Sequence, residues 1–216
     1  NYLDEWPRLF LYLVSFLILS STIISLLASI YVYDLSGLYR FDWLHKEHTE
    51  NLIVNINAGF DETSALLHDK FEHAKLIALD FYDPFKHTEI SIKRARKAYP
   101  PFPGTKEVET TCLPVSDHSA DKIFVILSAH EIRDEHERIV FFKEVNRVVK
   151  PDGQIIVIEH LRDVANFLVY NIGFFHFYSK TTWLRTFTEA NLTVKKEIKL
   201  TPFISSFILE KNGDTA

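Results

Sequence analysis

Residues 9–33 read LFLYLVSFLILSSTIISLLASIYVY, with no charge between Arg8 and Asp34. As a helix rising ~1.5 Å per residue this run would be roughly 37 Å long, enough to cross a hydrocarbon core of about 30 Å. Trp6 and Tyr12 lie towards one end and Tyr31 and Tyr33 at the other, where amphipathic rings favour the water boundary. Ser20, Ser21, Ser25 and Ser29 interrupt the run, so a buried N-terminal helix or an apolar hairpin lying on the body is the competing reading. A signal peptide fits poorly, because the run is too long and no positive segment precedes it.

Beyond this head the pattern changes to short apolar runs alternating with helical periodicity. LIVNI (52–56), KLIALDF (75–81), KIFVILS (122–128) and QIIVIEH (154–160) are bounded by turn residues or charge, as buried parallel strands are. DETSALLHDKF, EISIKRARKAY and DEHERIVFFKEVNRVV lie between them. In the last, Ile139, Phe142, Val145 and Val149 share a face, and KPDG is expected to end the helix before the next strand. This βαβα rhythm predicts an α/β fold with a mainly parallel sheet. NLTVKKEIKL and PFISSFILEK, separated by a Thr-Pro turn, predict an antiparallel hairpin at the sheet edge. The expected division is an apolar anchor helix and linker over 1–46, then an α/β domain over 47–216.

Composition narrows the partners. A net charge of -5 and a pI near 6.1 argue against a nucleic-acid binder. One cysteine, Cys112, excludes an internal disulfide. Arg40 and Lys46 follow the apolar head while only Arg8 precedes it, which favours a cytoplasmic body on a cell membrane, single-pass or peripheral. Nothing in the pattern sets an oligomeric state. HEIRDEH has Asp134 where a zincin has its second histidine, and HKEH near residue 45 is short of a ligand set, so no metal is expected from spacing.

The stretch LPVSDHSADKIFVILSAHEIRDEHERIVFFKEVNRVVKPDGQIIVIEH resembles the fourth strand, helix, "LKPGG" turn and fifth strand of class I S-adenosylmethionine-dependent methyltransferases, especially the quinone and small-molecule branch. IKRARKAY is similar to the helix after that family's second strand, and the terminal hairpin to its sixth and seventh strands. The resemblance implies a Rossmann-like, seven-stranded class I methyltransferase fold with S-adenosyl-L-methionine as cofactor. In the family, strand one leads into a glycine-rich D/E-x-G-x-G-x-G bend that admits the cofactor. Aligned on NINAGFD, Asn55 takes the acidic position, Asn57 the first glycine, Gly59 the second and Asp61 the third. Asn57 tolerates left-handed backbone, and Asp61 is expected to cap a helix beginning at Glu62. The resemblance also implies that Asp80 takes the ribose hydroxyls, Phe81 flanks the adenine, Glu109 receives its amino group and Ser128 lies among the cofactor contacts.

Methyl transfer from a sulfonium needs alignment, exclusion of water and, for an oxygen or nitrogen acceptor, removal of a proton. The strand ends are the expected place. His130 and His160 are the candidate bases, since imidazole titrates near neutrality, with Glu131 facing the acceptor. NFLVYNIGFFHFYS (166–179) supplies Tyr170, Phe174, His176 and Tyr178 as expected acceptor contacts, either lining an apolar pocket or resting at the membrane surface; a core helix is the plainer alternative. KRARK (93–97) reads as a solvated helix face or a contact for anionic head groups. The expected partners are therefore a membrane and a hydrophobic or lipid acceptor, with methyl transfer as the activity. The alternative is a non-catalytic membrane protein of the same fold, motivated by the altered loop at Asn55, Asn57 and Asp61.

Overall fold

A computed structural model describes residues 5–44, 49–87 and 90–213. Lys46, the HKEH cluster and the expected boundary at 46/47 lie outside them.

Helix α1 spans Glu5–Ile30 and continues as a π-helical turn over Tyr31–Leu35. Only Ala28 of α1 is buried, and its Leu, Ile and Phe side chains are exposed over its whole length. By length and composition it suffices to cross a membrane. The residues that follow turn inward: Val32, Leu38, Phe41 and Leu44 are buried in the body's core.

The body is a seven-stranded sheet in the order β3-β2-β1-β4-β5-β7-β6. β1 (Leu52–Asn57), β2 (Lys75–Asp80), β3 (Lys106–Glu107), β4 (Ala120–Ile126) and β5 (Val149–His160) run parallel. β7 (Ile204–Lys211) inserts antiparallel beside β5, leaving β6 (Leu192–Lys199) at the edge. This is the class I methyltransferase architecture, with its C-terminal antiparallel pair. β5 begins five residues before the expected QIIVIEH, because Val149 already pairs with Ala120. Gly153 permits that approach: a Cβ there would lie 2.7 Å from Val149 Cγ2 and 2.9 Å from the Ala120 carbonyl.

The period-two alternation of the strands divides the core. Val54, Ile56, Ile123, Val125, Ile155 and Val157 face one side, with α4 (Glu135–Val148) and α6 (Lys180–Glu189) packed on them through Phe141, Phe142, Trp183 and Phe187. Ile53, Phe124, Ile126, Ile156 and Ile158 face the other, covered by α2 (Ser64–Lys70) and the Val32–Leu44 segment. Asp134 caps α4 by accepting from the Glu137 amide. α3 (Ile90–Ala98) lies over the β2 end, and α5 (Val164–Tyr170) leads into a 3-10 turn over Asn171–His176. In register, Asn57 sits beside Asp80, which brings the first two strand ends and their loops together.

Candidate active site

The β1–α2 loop is built from its own side chains. Asn57 Oδ1 accepts the Gly59 amide at 3.1 Å, while Gly59 sits at φ +99°, a region open to glycine. Asp61 Oδ1 accepts the Thr63 and Ser64 amides at 3.1 and 2.9 Å. It thereby caps α2, which starts two residues later than expected. Asn55 takes no acid's role: its Nδ2 donates to Thr63 Oγ1 and Ser64 Oγ at 2.9 and 2.8 Å. Three buried atoms of the loop have no partner, namely Asn55 Oδ1, Asn57 Nδ2 and Asp61 Oδ2.

Asp80 is buried. Its Oδ1 accepts the Tyr82 amide at 2.9 Å, and its Oδ2 is paired with Arg96 Nη1 of α3. The same nitrogen donates to the Gly59 carbonyl at 3.2 Å, and the guanidinium lies 4.3 Å from the Tyr82 ring centre. That ring closes over Gly59, where a Cβ would meet Tyr82 Cδ2 at 2.7 Å. Beyond it opens a cleft of about 1140 Å³ bordered by Phe81, Lys86, Glu109, Thr110, Arg133 and Glu137. Phe81 is buried against Phe141, with ring centres 5.5 Å apart. Glu109 is exposed, its carboxylate 3.5 Å from the Thr111 hydroxyl.

These residues fit S-adenosylmethionine with one exchange. The pocket of about 130 Å³ beside Asn57, Ala58, Phe60 and Thr63 falls short of the ~300 Å³ a ligand site starts from. It is lined by Asn57, whose amide donor is unpartnered and suits a carboxylate group, and the nearby loop also holds the unpartnered Asp61 Oδ2, suited to an ammonium group. The place beside Asp80 is held by Arg96 and Tyr82. Arg96 is about a third exposed, on a surface helix; its withdrawal would leave Asp80 Oδ2 open to hydroxyl donors.

The β4 and β5 ends carry a second cluster. Ser128 ties β4 to β1 by donating to the Ile56 carbonyl at 3.0 Å. His130 and Glu131 follow in a 3-10 turn. Glu159, fully buried at the end of β5, accepts the His130 amide through Oε1 at 3.2 Å, and its Oε2 lies 2.6 Å from His130 Nδ1. Glu131 Oε1 lies 3.3 Å from His130 Nε2 and 3.2 Å from His176 Nε2. Burial alone would lower the His130 pKa, but the charges of Glu159 and Glu131 and their hydrogen bonds outweigh it and raise it to about 10. Burial likewise opposes ionisation of Glu131, and hydrogen bonds from His130 and His176 reverse that and hold its pKa well below the usual carboxylate range.

His160 has the opposite state. Its Nδ1 lies 3.1 Å from the Phe203 carbonyl and from Asn166 Oδ1, which assigns the ring proton to Nδ1. Nε2 then accepts from the Tyr33 hydroxyl at 3.0 Å. The ring stacks on Phe177 at 4.7 Å and meets Tyr170 edge-on. Burial pushes its pKa down to about 4, against the Asn166 hydrogen bond. It joins the N-terminal segment to the sheet.

The aromatic segment is largely outside the core. Val164, Phe167, Leu168, Ile172 and Phe175 are exposed, Phe174 packs between Phe167 and Phe175, and Asn171 Nδ2 donates to Ser21 Oγ of α1 at 3.0 Å. Its last turn delivers His176 to Glu131. Tyr178 points elsewhere, donating to the Arg133 carbonyl at 3.2 Å with Arg138 over its ring. Arg96 and Arg133 escaped the reading of the sequence; KRARK carries no mark distinguishing the arginine that turns inward.

Residues 54–157 match a family model described as a methyltransferase domain. Among solved structures, a SAM-dependent methyltransferase from Aquifex aeolicus is 17% identical, with a TM-score of 0.55 over 82% of this chain and 94% of its own. A protein from Pyrococcus horikoshii OT3 is 16% identical, with a TM-score of 0.60 over 82% and 90%. LepI, in a complex with SAM, is 13% identical, with a TM-score of 0.53 over 80% of this chain and 46% of its own. No curated protein matches the sequence. S-adenosylmethionine is the cofactor named for the Aquifex aeolicus enzyme and the ligand in the LepI complex. The chain thus carries a match to a methyltransferase domain over residues 54–157 and has the sheet order and fold of the class I S-adenosylmethionine-dependent methyltransferases.

Proposed function

We propose that the chain is a membrane-anchored methyltransferase acting on a hydrophobic, lipid-soluble acceptor such as a quinone or phenolic lipid. The observation that carries this is an exposed apolar helix in contact with an exposed aromatic segment, a route that leads towards the strand ends. The exposed helix α1 abuts the aromatic segment at Ser21–Asn171, and that segment ends at His176 in the cluster on the strand ends. Such a route lets an acceptor confined to the bilayer reach the site without crossing water.

The cofactor, when bound, supplies a methyl group activated on a sulfonium. Asp80 would hold its sugar after giving up Arg96, and Asn57 and Asp61 offer the unpartnered donor and acceptor for its amino-acid end. Glu131 borders both the small pocket and the large cleft, so it is placed to accept a hydrogen bond from an acceptor hydroxyl. His130 is already an imidazolium at neutral pH; it must lose a proton before it can take one.

Full-length protein in detergent, incubated with methyl-labelled S-adenosylmethionine and a lipid extract, is expected to put label into the organic phase, and Asp80→Asn to abolish it. Absence of label together with absence of S-adenosylhomocysteine binding would overturn the proposal. Orientation is testable at Cys112, the single cysteine, which is exposed. A cytoplasmic body predicts labelling by an impermeant maleimide only after the cells are opened.

A second reading, a non-catalytic partner or scaffold, is favoured by the Arg96–Asp80 pair and by Tyr82 over Gly59. It predicts that neither the wild type nor Arg96→Ala binds S-adenosylhomocysteine.

A further inference from the structure

We infer that His130, Glu131 and His176 form a binding site for a divalent first-row transition-metal ion at the end of β4. Each offers one ligand atom, and the three atoms lie within 4.8 Å of one another. It is the one such grouping of histidine, cysteine and carboxylate among the described residues. The two edges meeting at Glu131 Oε1 measure 3.3 and 3.2 Å. Ligand bonds of about 2.0–2.1 Å at tetrahedral angles put ligand atoms roughly 3.3–3.4 Å apart, so closure onto an ion needs little movement beyond the third edge.

The surroundings resemble a supported ligand. Glu159, fully buried, lies 2.6 Å from His130 Nδ1 and also accepts the His130 amide. A carboxylate on the far ring nitrogen fixes the tautomer and aims Nε2 at the ion. Two imidazoles and one carboxylate suit zinc, iron or cobalt better than calcium or magnesium, which take oxygen ligands. Three protein ligands leave a position open, and Glu131 borders both cavities, so an acceptor oxygen could occupy it. Arg133 opposes the ion: its Nη2 lies 2.6 Å from His176 Nε2, and its Nη1 donates to the His176 carbonyl at 2.7 Å. Metal entry therefore requires that guanidinium to swing away from the ring and His130 to release its Nε2 proton to solvent, so that the ion takes the place of a proton between His130 and Glu131.

The site stands independently of methyl transfer, and its test needs no turnover. Full-length protein in detergent, free of any histidine tag, would be titrated with Co²⁺ alone and followed by visible absorption, with Zn²⁺ as competitor. The expected result is one ion per chain with the intense bands of a four- or five-coordinate site. Affinity should fall more than about 100-fold in His176→Ala and about 10–100-fold in Glu159→Gln, the latter being the usual cost of losing a ligand's supporting group. His176→Ala alters a half-buried turn residue and should retain the wild-type circular dichroism. A spectrum of the free aqueous ion at about 1 mM Co²⁺, an affinity no better than chance surface binding, would overturn the assignment. So would binding unchanged in both His130→Ala and His176→Ala.

Discussion

At the ends of β1 and β2 the charged side chains are committed to one another. Asp61 caps α2, Asp80 takes Arg96, and Tyr82 covers Gly59. At the ends of β4 and β5 two carboxylates converge on imidazoles, and the neutralising charge is a proton on His130. A guanidinium on a surface helix leaves by rotating its side chain, whereas a proton leaves by exchange with solvent or with another cation. The first half thus opens by conformational change and the second responds to pH and ions. The same fold edge holds both.

The largest break in this comparison comes from Glu159→Ala. Removing the fully buried Glu159 leaves His130 with Glu131 as its remaining carboxylate partner and, as the breaking of a buried pair, costs about 3 kcal/mol, measurable by chemical denaturation. The His130 pKa should fall as well, since the Glu159 charge is the largest effect raising it; an unchanged ring titration by NMR would contradict the pairing.

Acid titration comes next. His160 has its folded pKa depressed to about 4, below the unfolded value near 6.5. Between these values the unfolded chain binds the extra proton, so stability is complete above pH ~6.5 and is lost as pH falls towards 4. The loss from this one group should be roughly 3 kcal/mol, and His160→Gln should remove it. His130 has the opposite sign: its contribution is complete below pH ~6.5 and disappears as pH rises through about 10.

Gly59→Ala is smaller in stability, about 1–3 kcal/mol for a strained backbone position, with Tyr82 forced aside. Cofactor binding should suffer more than the melting temperature does. Phe175→Asp, at an exposed position, should stay within about 0.5 kcal/mol of the wild type while lowering turnover of a membrane-held acceptor. Equal turnover would detach the aromatic segment from acceptor delivery.

The strands, the terminal hairpin and the apolar helix were legible because each depends on local periodicity. Ile123, Val125, Ile155 and Val157 share one side of the sheet and Phe124, Ile126, Ile156 and Ile158 the other, as their spacing requires. The early start of β5 was hidden, since Val149 and Gly153 are extended by pairing with Ala120 rather than by local preference. So was the inward turn of Val32, Leu38, Phe41 and Leu44, whose burial depends on a sheet face that α2 leaves uncovered. At the site, Asp80, His130, Glu131 and His160 could be located at strand ends. Their partners could not: Arg96, Glu159 on His130 and Tyr33 on His160 are tertiary contacts. His176 joins Glu131 from 45 positions away, far outside any ligand spacing a motif could reveal.

Calorimetric titration of S-adenosylhomocysteine into the wild type and Arg96→Ala tests the central claim most directly. If Arg96 occupies the sugar's place at Asp80, its removal should tighten binding by about 10–100-fold, the worth of charged hydrogen bonds no longer contested. Equal or weaker binding in Arg96→Ala, or none in either protein, would contradict it.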